Sequence, residues 1–143
     1  MAPEVFERMY EVTGRDFVNA GRVSTSIKDT LKRLGVSPTI VRRVAIASYE
    51  AEMNVVMYAT RAKMSLKVSP IAVTVEVDDM GPGIEDIALA MQEGYSTATP
   101  EMREMGFGAG MGLPNIRKNA DEFDITSEVG RGTRLRVRVK QAA

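Results

Sequence analysis

Apolar and polar residues change rhythm several times along the chain, and each change predicts an element. The opening VFERMYEVT, Val5 to Thr13, alternates loosely and stops at Gly14, which predicts a strand. In RDFVNAGRVSTSIKDTLKRLG the residues Phe17, Ala20, Val23, Ile27, Leu31 and Leu34 recur at helical spacing, with Asp16 able to cap the start and Gly35 to stop the helix. A second helix is predicted in SPTIVRRVAIASYEAEMNVVMYATRA, with Pro38 in its first turn. Its Val41, Val44, Ala45, Ser48, Val55 and Tyr58 fall mostly on one face, and Arg42, Arg43, Glu50 and Glu52 make it polar elsewhere. KMSLKVS and PIAVTVEVDD read as two strands joined at Ser69–Pro70, and EDIALAMQEGY as a short helix closed by Gly94. STATPEMREMGFGAGMG has no period and reads as a long loop. Loops of that kind inside compact domains are functional lids or disordered. LPNIRKNADEF returns to helix, and DITSEVG and TRLRVRVK close as a hairpin around GRG.

This order sets strand hairpins among helices instead of alternating strictly. It predicts an α/β two-layer sandwich whose mixed, mainly antiparallel sheet is covered on one face by helices. A length of 143 residues suits one domain, 1–143. The 44% hydrophobic and 27% charged content is that of an ordinary globular protein. A formal net charge of zero removes any global drive toward nucleic acid or an anionic membrane, so neither is an expected partner. The basic row Arg134, Arg136, Arg138 and Lys140 reads, for the same reason, as the solvated face of a strand.

The chain has no cysteine and no histidine. Disulfides, thiolate catalysis, serine–histidine triads, histidine metal cages and a phosphoacceptor histidine are thereby excluded, and general-base work falls to Asp, Glu, Lys or Tyr. No apolar run is long enough to span a bilayer, and MAPEVFERMYEV lacks the apolar core of a signal peptide; the expected location is the cytoplasm.

Three stretches carry candidate chemistry. In EAEMN, Glu50 and Asn54 stand four apart and so project from one helical face. One could coordinate a cation through its amide oxygen while the other orients or deprotonates a water or hydroxyl; read alone, the pair is more simply exposed Glu and Asn on a helix's polar face, although Asn is a poor mid-helix residue. In DDMGPGI, Gly81 and Gly83 allow positive φ or close approach, Pro82 stiffens the turn, and Asp79 could accept from an exocyclic amine such as that of adenine. Read alone, it is also an ordinary turn. GFGAGMG, Gly106 to Gly112, runs into a helix, where free backbone N–H groups converge and phosphates bind. It lacks the Walker lysine and does not open a βαβ unit.

Taken together, EAEMN, DMGPG, GFGAGMG and the terminal GRGT resemble, in that order, the ATPase superfamily of gyrase, the heat-shock chaperone N-domain, histidine kinases and mismatch-repair proteins, whose fold is the Bergerat type. The small size, the missing histidine and the phrase DDMGPGIEDIALAMQEGYSTA make the chain similar to the anti-sigma-factor serine kinases and switch kinases of bacterial partner-switching pathways. The resemblance implies ATP and Mg²⁺ as cofactors. It implies Asp79 on the adenine amine, Gly81 and Gly83 against the base and ribose, Thr133 at the adenine edge and Asn54 on the metal. Glu50 would be the base or orienter for a serine hydroxyl, and Gly108, Gly110 and Gly112 would hinge a flexible lid, about 95–111, and donate to phosphates. The implied partners are an antagonist protein carrying a phosphoacceptor serine, then a sigma factor or downstream phosphatase, and a second copy of the chain in a homodimer.

Two departures stand beside this. Met57 and Tyr58 occupy places where many relatives have a charged residue and a histidine, and Arg103 is the lone basic candidate in the lid for sensing a γ-phosphate. Two other readings remain open: a non-catalytic ATP-binding anti-sigma or adaptor module, and the detached catalytic domain of a histidine kinase.

Overall fold

The computed structural model describes residues 5–92 and 112–141. Its elements run β1 (Phe6–Thr13), α1 (Arg22–Arg33), α2 (Pro38–Tyr58), β2 (Arg61–Val68), β3 (Ala72–Met80), the single turn α3 (Ile87–Ala90), α4 (Gly112–Lys118), β4 (Glu122–Glu128) and β5 (Gly132–Lys140). The five strands form one sheet in the order β1-β2-β3-β5-β4, and every neighbouring pair is antiparallel. The expected two-layer α/β sandwich is present, and its sheet is purely antiparallel.

Period-2 alternation builds the sheet. Met64 and Leu66 of β2, Val73, Val75 and Val77 of β3, and Leu135, Val137 and Val139 of β5 are buried on the helix side. They form one core with Val41, Val44, Ala47, Ala51, Val55 and Val56 of α2. The opposite face carries the intervening charges. Arg134 pairs with Asp78 at 3.1 Å, Arg136 with Glu76 at 3.8 Å and Asp124 at 3.6 Å, and Arg138 with Glu122 at 2.7 Å. The basic row on β5 is a solvated, acid-paired face.

The first helix differs from its expected span. It begins at Arg22, not near Arg15, because Gly21 adopts a left-handed φ of 93°. Asp16 caps no helix; its carboxylate instead takes the backbone and side-chain N–H groups of Asn19. Phe17 and Ala20 reach the core from a loop, which mimics helical spacing. The second helix stops at Tyr58 because Ala59 turns to extended backbone and the residues from Arg61 join the sheet. The short helix predicted in EDIALAMQEGY is reduced, within the described residues, to one turn capped by Asp86 through the Leu89 N–H at 3.0 Å. The Gly94 expected to close it lies outside those residues.

The largest correction concerns Glu52. Assigned to a polar face by pattern, it is 1% exposed. Its carboxylate accepts the backbone N–H groups of Gly21 and Val23 at 3.1 Å and of Ser24 at 2.8 Å. These are first-turn donors of α1, which has no side-chain cap of its own. A carboxylate from α2 thus serves as the cap of α1 and sits at the positive end of its dipole.

Replacing Glu52 by Ala strands these donors and is expected to lower the unfolding free energy by about 3 kcal/mol in urea titration. Glu52→Gln, which keeps one acceptor oxygen, should cost about half as much. A change below about 0.5 kcal/mol for the alanine variant would show that the cap carries no weight.

Candidate functional site

The sheet and α2 point their chemistry to the same end of the fold. Thr13, Arg61, Asp79 and Thr133 all sit at strand ends there, as the register of β1, β2, β3 and β5 requires. Asp79 follows Val77 on the helix side of β3, whereas Asp78 faces the solvated side. Asp79 Oδ1 accepts the Thr133 N–H at 3.0 Å, which leaves Oδ2 for a ligand. Burial raises the Asp79 pKa, the Thr133 bond opposes the rise, and Asp78 adds to it.

The turn after β3 is fixed from two sides. Gly81 lies between Ala59 and the Asp79 carboxylate, so that a Cβ there would sit 3.1 Å from both. Gly83 has a φ of 78°, and a Cβ on it would overlap the Glu128 carbonyl. Only glycine meets both demands at Gly83. The Ile84 N–H donates to Ser127 Oγ at 2.6 Å, and the Gly130 N–H to the Pro82 carbonyl at 2.9 Å. Ser127 Oγ is in turn 2.9 Å from Thr133 Oγ1. A cleft of about 320 Å³ opens at this strand end, lined by Asp79, Ser127, Gly132 and Thr133 together with Asp78, Thr126, Glu128, Arg131 and Arg134.

The second group lies on α2. Glu50 and Asn54 face α4, and both approach Gly112. A Cβ on Gly112 would sit 3.1 Å from Asn54 Oδ1 and 3.6 Å from Glu50 Oε2. Asn115, one turn further along α4, donates its amide N–H to Glu50 Oε1 at 3.5 Å. Burial raises the Glu50 pKa and the Asn115 bond partly offsets it. From Asn54 to Ala59, which abuts Gly81, the helix advances about 7 Å. The two groups therefore lie within a nucleotide's length of each other.

The expected residues Glu50, Asn54, Asp79, Gly81, Gly83, Gly112 and Thr133 all converge on this end. Gly108, Gly110 and Arg103 lie outside the described residues. Pattern reading missed two residues, and each had left a trace. Ser127 occupies an inward position of β4 after Phe123 and Ile125, where the period calls for an apolar residue. Asn115 is a poor helix former in the first turn of α4.

A Mg²⁺ ion with ATP takes most of its ligands from phosphate and water and needs few from protein. The half-buried Asn54 amide oxygen beside the Glu50 carboxylate fits that donor set. Among the described residues no three acids cluster into a self-sufficient metal site.

The model of the histidine kinase-like ATPase domain matches residues 16–139. The chain belongs to that family. Within it, similar proteins include a serine/threonine-protein kinase and several anti-sigma F factors. The chain is 29% identical over 112 residues to the serine/threonine-protein kinase RsbT of Bacillus subtilis (strain 168), covering 76% of this chain and 78% of the relative. It is 33% identical over 109 residues to the anti-sigma F factor of Thermoanaerobacter sp. (strain X514), covering 71% and 73%. The anti-sigma F factor of Clostridium botulinum (strain Eklund 17B / Type B) matches at 29% over 138 residues, 86% of this chain and 93% of the relative. The family and the site thus point the same way.

The two raised carboxyls set a pH dependence. Each binds its proton more tightly folded than unfolded, so its contribution to stability is full below the ordinary values of 4.5 and 3.8 and is lost as pH rises through the raised folded values. Glu50→Gln should therefore melt above wild type at pH 7.5, with the difference closing toward pH 3.5. A difference independent of pH would contradict this account of Glu50.

Proposed function

We propose that the chain is an ATP-dependent protein-serine kinase, an anti-sigma factor or switch kinase that selects between protein partners in a partner-switching pathway. The observation that carries it is the pairing of Glu50 with Asn54 on one face of α2, both against Gly112. A base with a raised pKa there stands beside an amide suited to a phosphate-bound cation.

In this reading the adenine amine donates to Asp79, with Thr133 at its edge and Gly81 and Gly83 letting the base and ribose lie on backbone. The phosphates extend toward Asn54 and Gly112. Asn54 would hold Mg²⁺, which would supply charge neutralisation at the phosphates. The hydroxyl of the substrate serine attacks the γ-phosphorus, the bond to the β–γ bridging oxygen breaks, and the serine proton passes to Glu50. A carboxylate shifted toward neutrality is the better base for that proton. Little else is required, since phosphoryl transfer depends mainly on positioning and charge neutralisation.

The acceptor serine belongs to an antagonist protein, with a sigma factor or phosphatase downstream, and ATP places the reaction in the cytoplasm. Gly108 and Gly110 would belong to a lid over the phosphates, and a second copy of the chain would complete a homodimer.

Titration calorimetry with ATP tests the site. Micromolar, Mg²⁺-dependent binding is expected, weakened about 10- to 100-fold in Asp79→Asn, the loss of one charge-assisted hydrogen bond. No binding by the folded wild type would overturn the proposal.

Incubation with the antagonist protein and ATP tests the chemistry. Glu50→Ala should keep nucleotide and partner binding and lose at least about 100-fold in phosphorylation rate. Undiminished partner binding by a wild type that never phosphorylates would favour a non-catalytic adaptor. An acid-labile product would favour histidine kinase chemistry.

A further inference from the structure

The two carboxylate oxygens of Glu50 have different neighbours. Oε1 accepts the side-chain amide N–H of Asn115 at 3.5 Å, whereas Oε2 lies 3.6 Å from the point where a Cβ on Gly112 would stand. Asn54 Oδ1 lies 3.1 Å from that same point. An ionised carboxylate has no proton to give, so Asn115 is the donor in this pair. Oε1 is engaged inside the protein, and Oε2 is the oxygen turned toward Asn54.

Two helices hold this arrangement. Glu50 and Asn54 stand four apart on α2, and Gly112 and Asn115 three apart on α4, so each pair shares one helical face. Gly112 comes closest to Asn54 while Asn115 meets Glu50, which sets the pairs opposite each other in antiparallel order. The backbone of α4 is anchored on both sides of Asn115. Leu113, Pro114 and Ile116 are buried, and the Asn115 carbonyl oxygen accepts the Asn119 backbone N–H at 3.3 Å and its side-chain N–H at 2.8 Å. A glutamate side chain has several rotatable bonds, and a fixed donor restricts the orientations its carboxylate can sample. Hydrogen bonds around a general base are long in an empty site and tighten once substrate is bound, so a separation of 3.5 Å is compatible with that work.

We propose that Asn115 is a positioning residue for Glu50: by holding Oε1 it aims Oε2 at the substrate serine hydroxyl beside Asn54. The inference rests on the reading of Glu50 as the base of a protein-serine kinase and deepens it. As the serine oxygen bonds to the γ-phosphorus and the bond to the bridging oxygen breaks, the serine proton passes to Oε2. Asn115 gains and loses nothing in this step; it fixes which oxygen receives the proton. Because Asn115 follows Gly112 by one turn, the residue that meets the phosphates and the residue that aims the base ride on one helix.

The test is a double-mutant cycle read in kcat and KM with Mg-ATP and the antagonist protein. Asn115→Ala is expected to lower kcat about tenfold and leave both KM values within about twofold, the signature of an aim lost after binding. Asn115→Gln keeps a donor and should retain most of the rate. Asn115→Asp keeps the shape of the side chain but sets a second carboxylate against Glu50, and should fall at least as far as Asn115→Ala; a packing role predicts the reverse order. Should Asn115→Ala fail to fold, the nearly isosteric Asn115→Asp carries the same expectation. In a Glu50→Gln background, where no base remains to be aimed, adding Asn115→Ala should change the residual rate by less than about twofold. The same tenfold loss in both backgrounds, or a loss seen in the KM for ATP with kcat untouched, overturns the role of Asn115 and leaves the kinase reading standing. Thermal melting reads the contact without any chemistry: Asn115→Asp should melt about 4 °C below wild type, and adding Glu50→Gln should restore most of that. Restored melting in a folded wild type that binds ATP and never phosphorylates the antagonist would leave the contact in place and overturn the kinase reading, and the positioning role with it.

Discussion

One buried carboxylate sets the placement of the rest. Glu52 holds the backbone N–H groups of Gly21, Val23 and Ser24, and by doing so locks α2 against the start of α1. A charge taken fully out of water is tolerable only with such compensation, here several N–H donors and the positive end of a helix dipole. The geometry also fixes the rotation of α2 about its own axis. Successive residues on a helix turn by about 100°, so Glu50 and Asn54, two residues either side of Glu52, project roughly away from it. Gripping α1 with Glu52 therefore aims Glu50 and Asn54 at Gly112 and Asn115 of α4. A helix free to roll by a single residue position would lose the cap and the site together.

The two halves of the site obey different physics. At the α2 end, burial raises the pKa of Glu50 while Asn115 draws it back, which suits a group that must exchange a proton. At the sheet end, hydrogen bonds inside the protein consume the donors before any ligand arrives. The Thr133 N–H goes to Asp79, and the Ile84 N–H to Ser127. The second arrangement is rigid, since it ties the β3 turn to the β4–β5 hairpin. The glycines serve this closeness: at Gly83 a side chain would overlap Glu128 and prise the turn from the hairpin.

Much of this was legible in the sequence where one period ruled and one element sufficed. The strands, the spacing of Glu50 and Asn54, and the glycines after β3 were all readable locally, and the order of the motifs carried the family. What escaped involved pairs of elements. Asp16 had the chemistry of a cap and Glu52 the look of surface, because nothing local reveals that a carboxylate 31 positions downstream of Gly21 will cap α1. Phe17 and Ala20 kept helical spacing without being helical, since a loop can also bury a residue every third or fourth position. Ser127 and Asn115 break the patterns of their own elements, a signal readable only once their opposite neighbours are known.

The doubled acid of DDMGPGI shows how far periodicity alone can carry function. Asp78 and Asp79 are chemically alike and adjacent, yet one pairs with Arg134 on the solvated face and the other is held by the Thr133 N–H on the helix side. Side chains of a strand alternate, so Val73, Val75 and Val77 commit Asp79 to the helix side, and a slip of one residue would exchange the two acids. The hydrophobic row therefore fixes which carboxylate lies on the helix side, beside Thr133. The charges on the far side fix something else. β4 and β3 both present acids there, and basic β5 lies between them, so the strand order that brings Ser127 and Thr133 beside Asp79 is also the order that separates like charges. Each exposed pair contributes only about 0.2–1 kcal/mol, too little to hold the sheet. Set against a like-charged alternative it is enough to bias strand order, and strand order is what assembles the cleft.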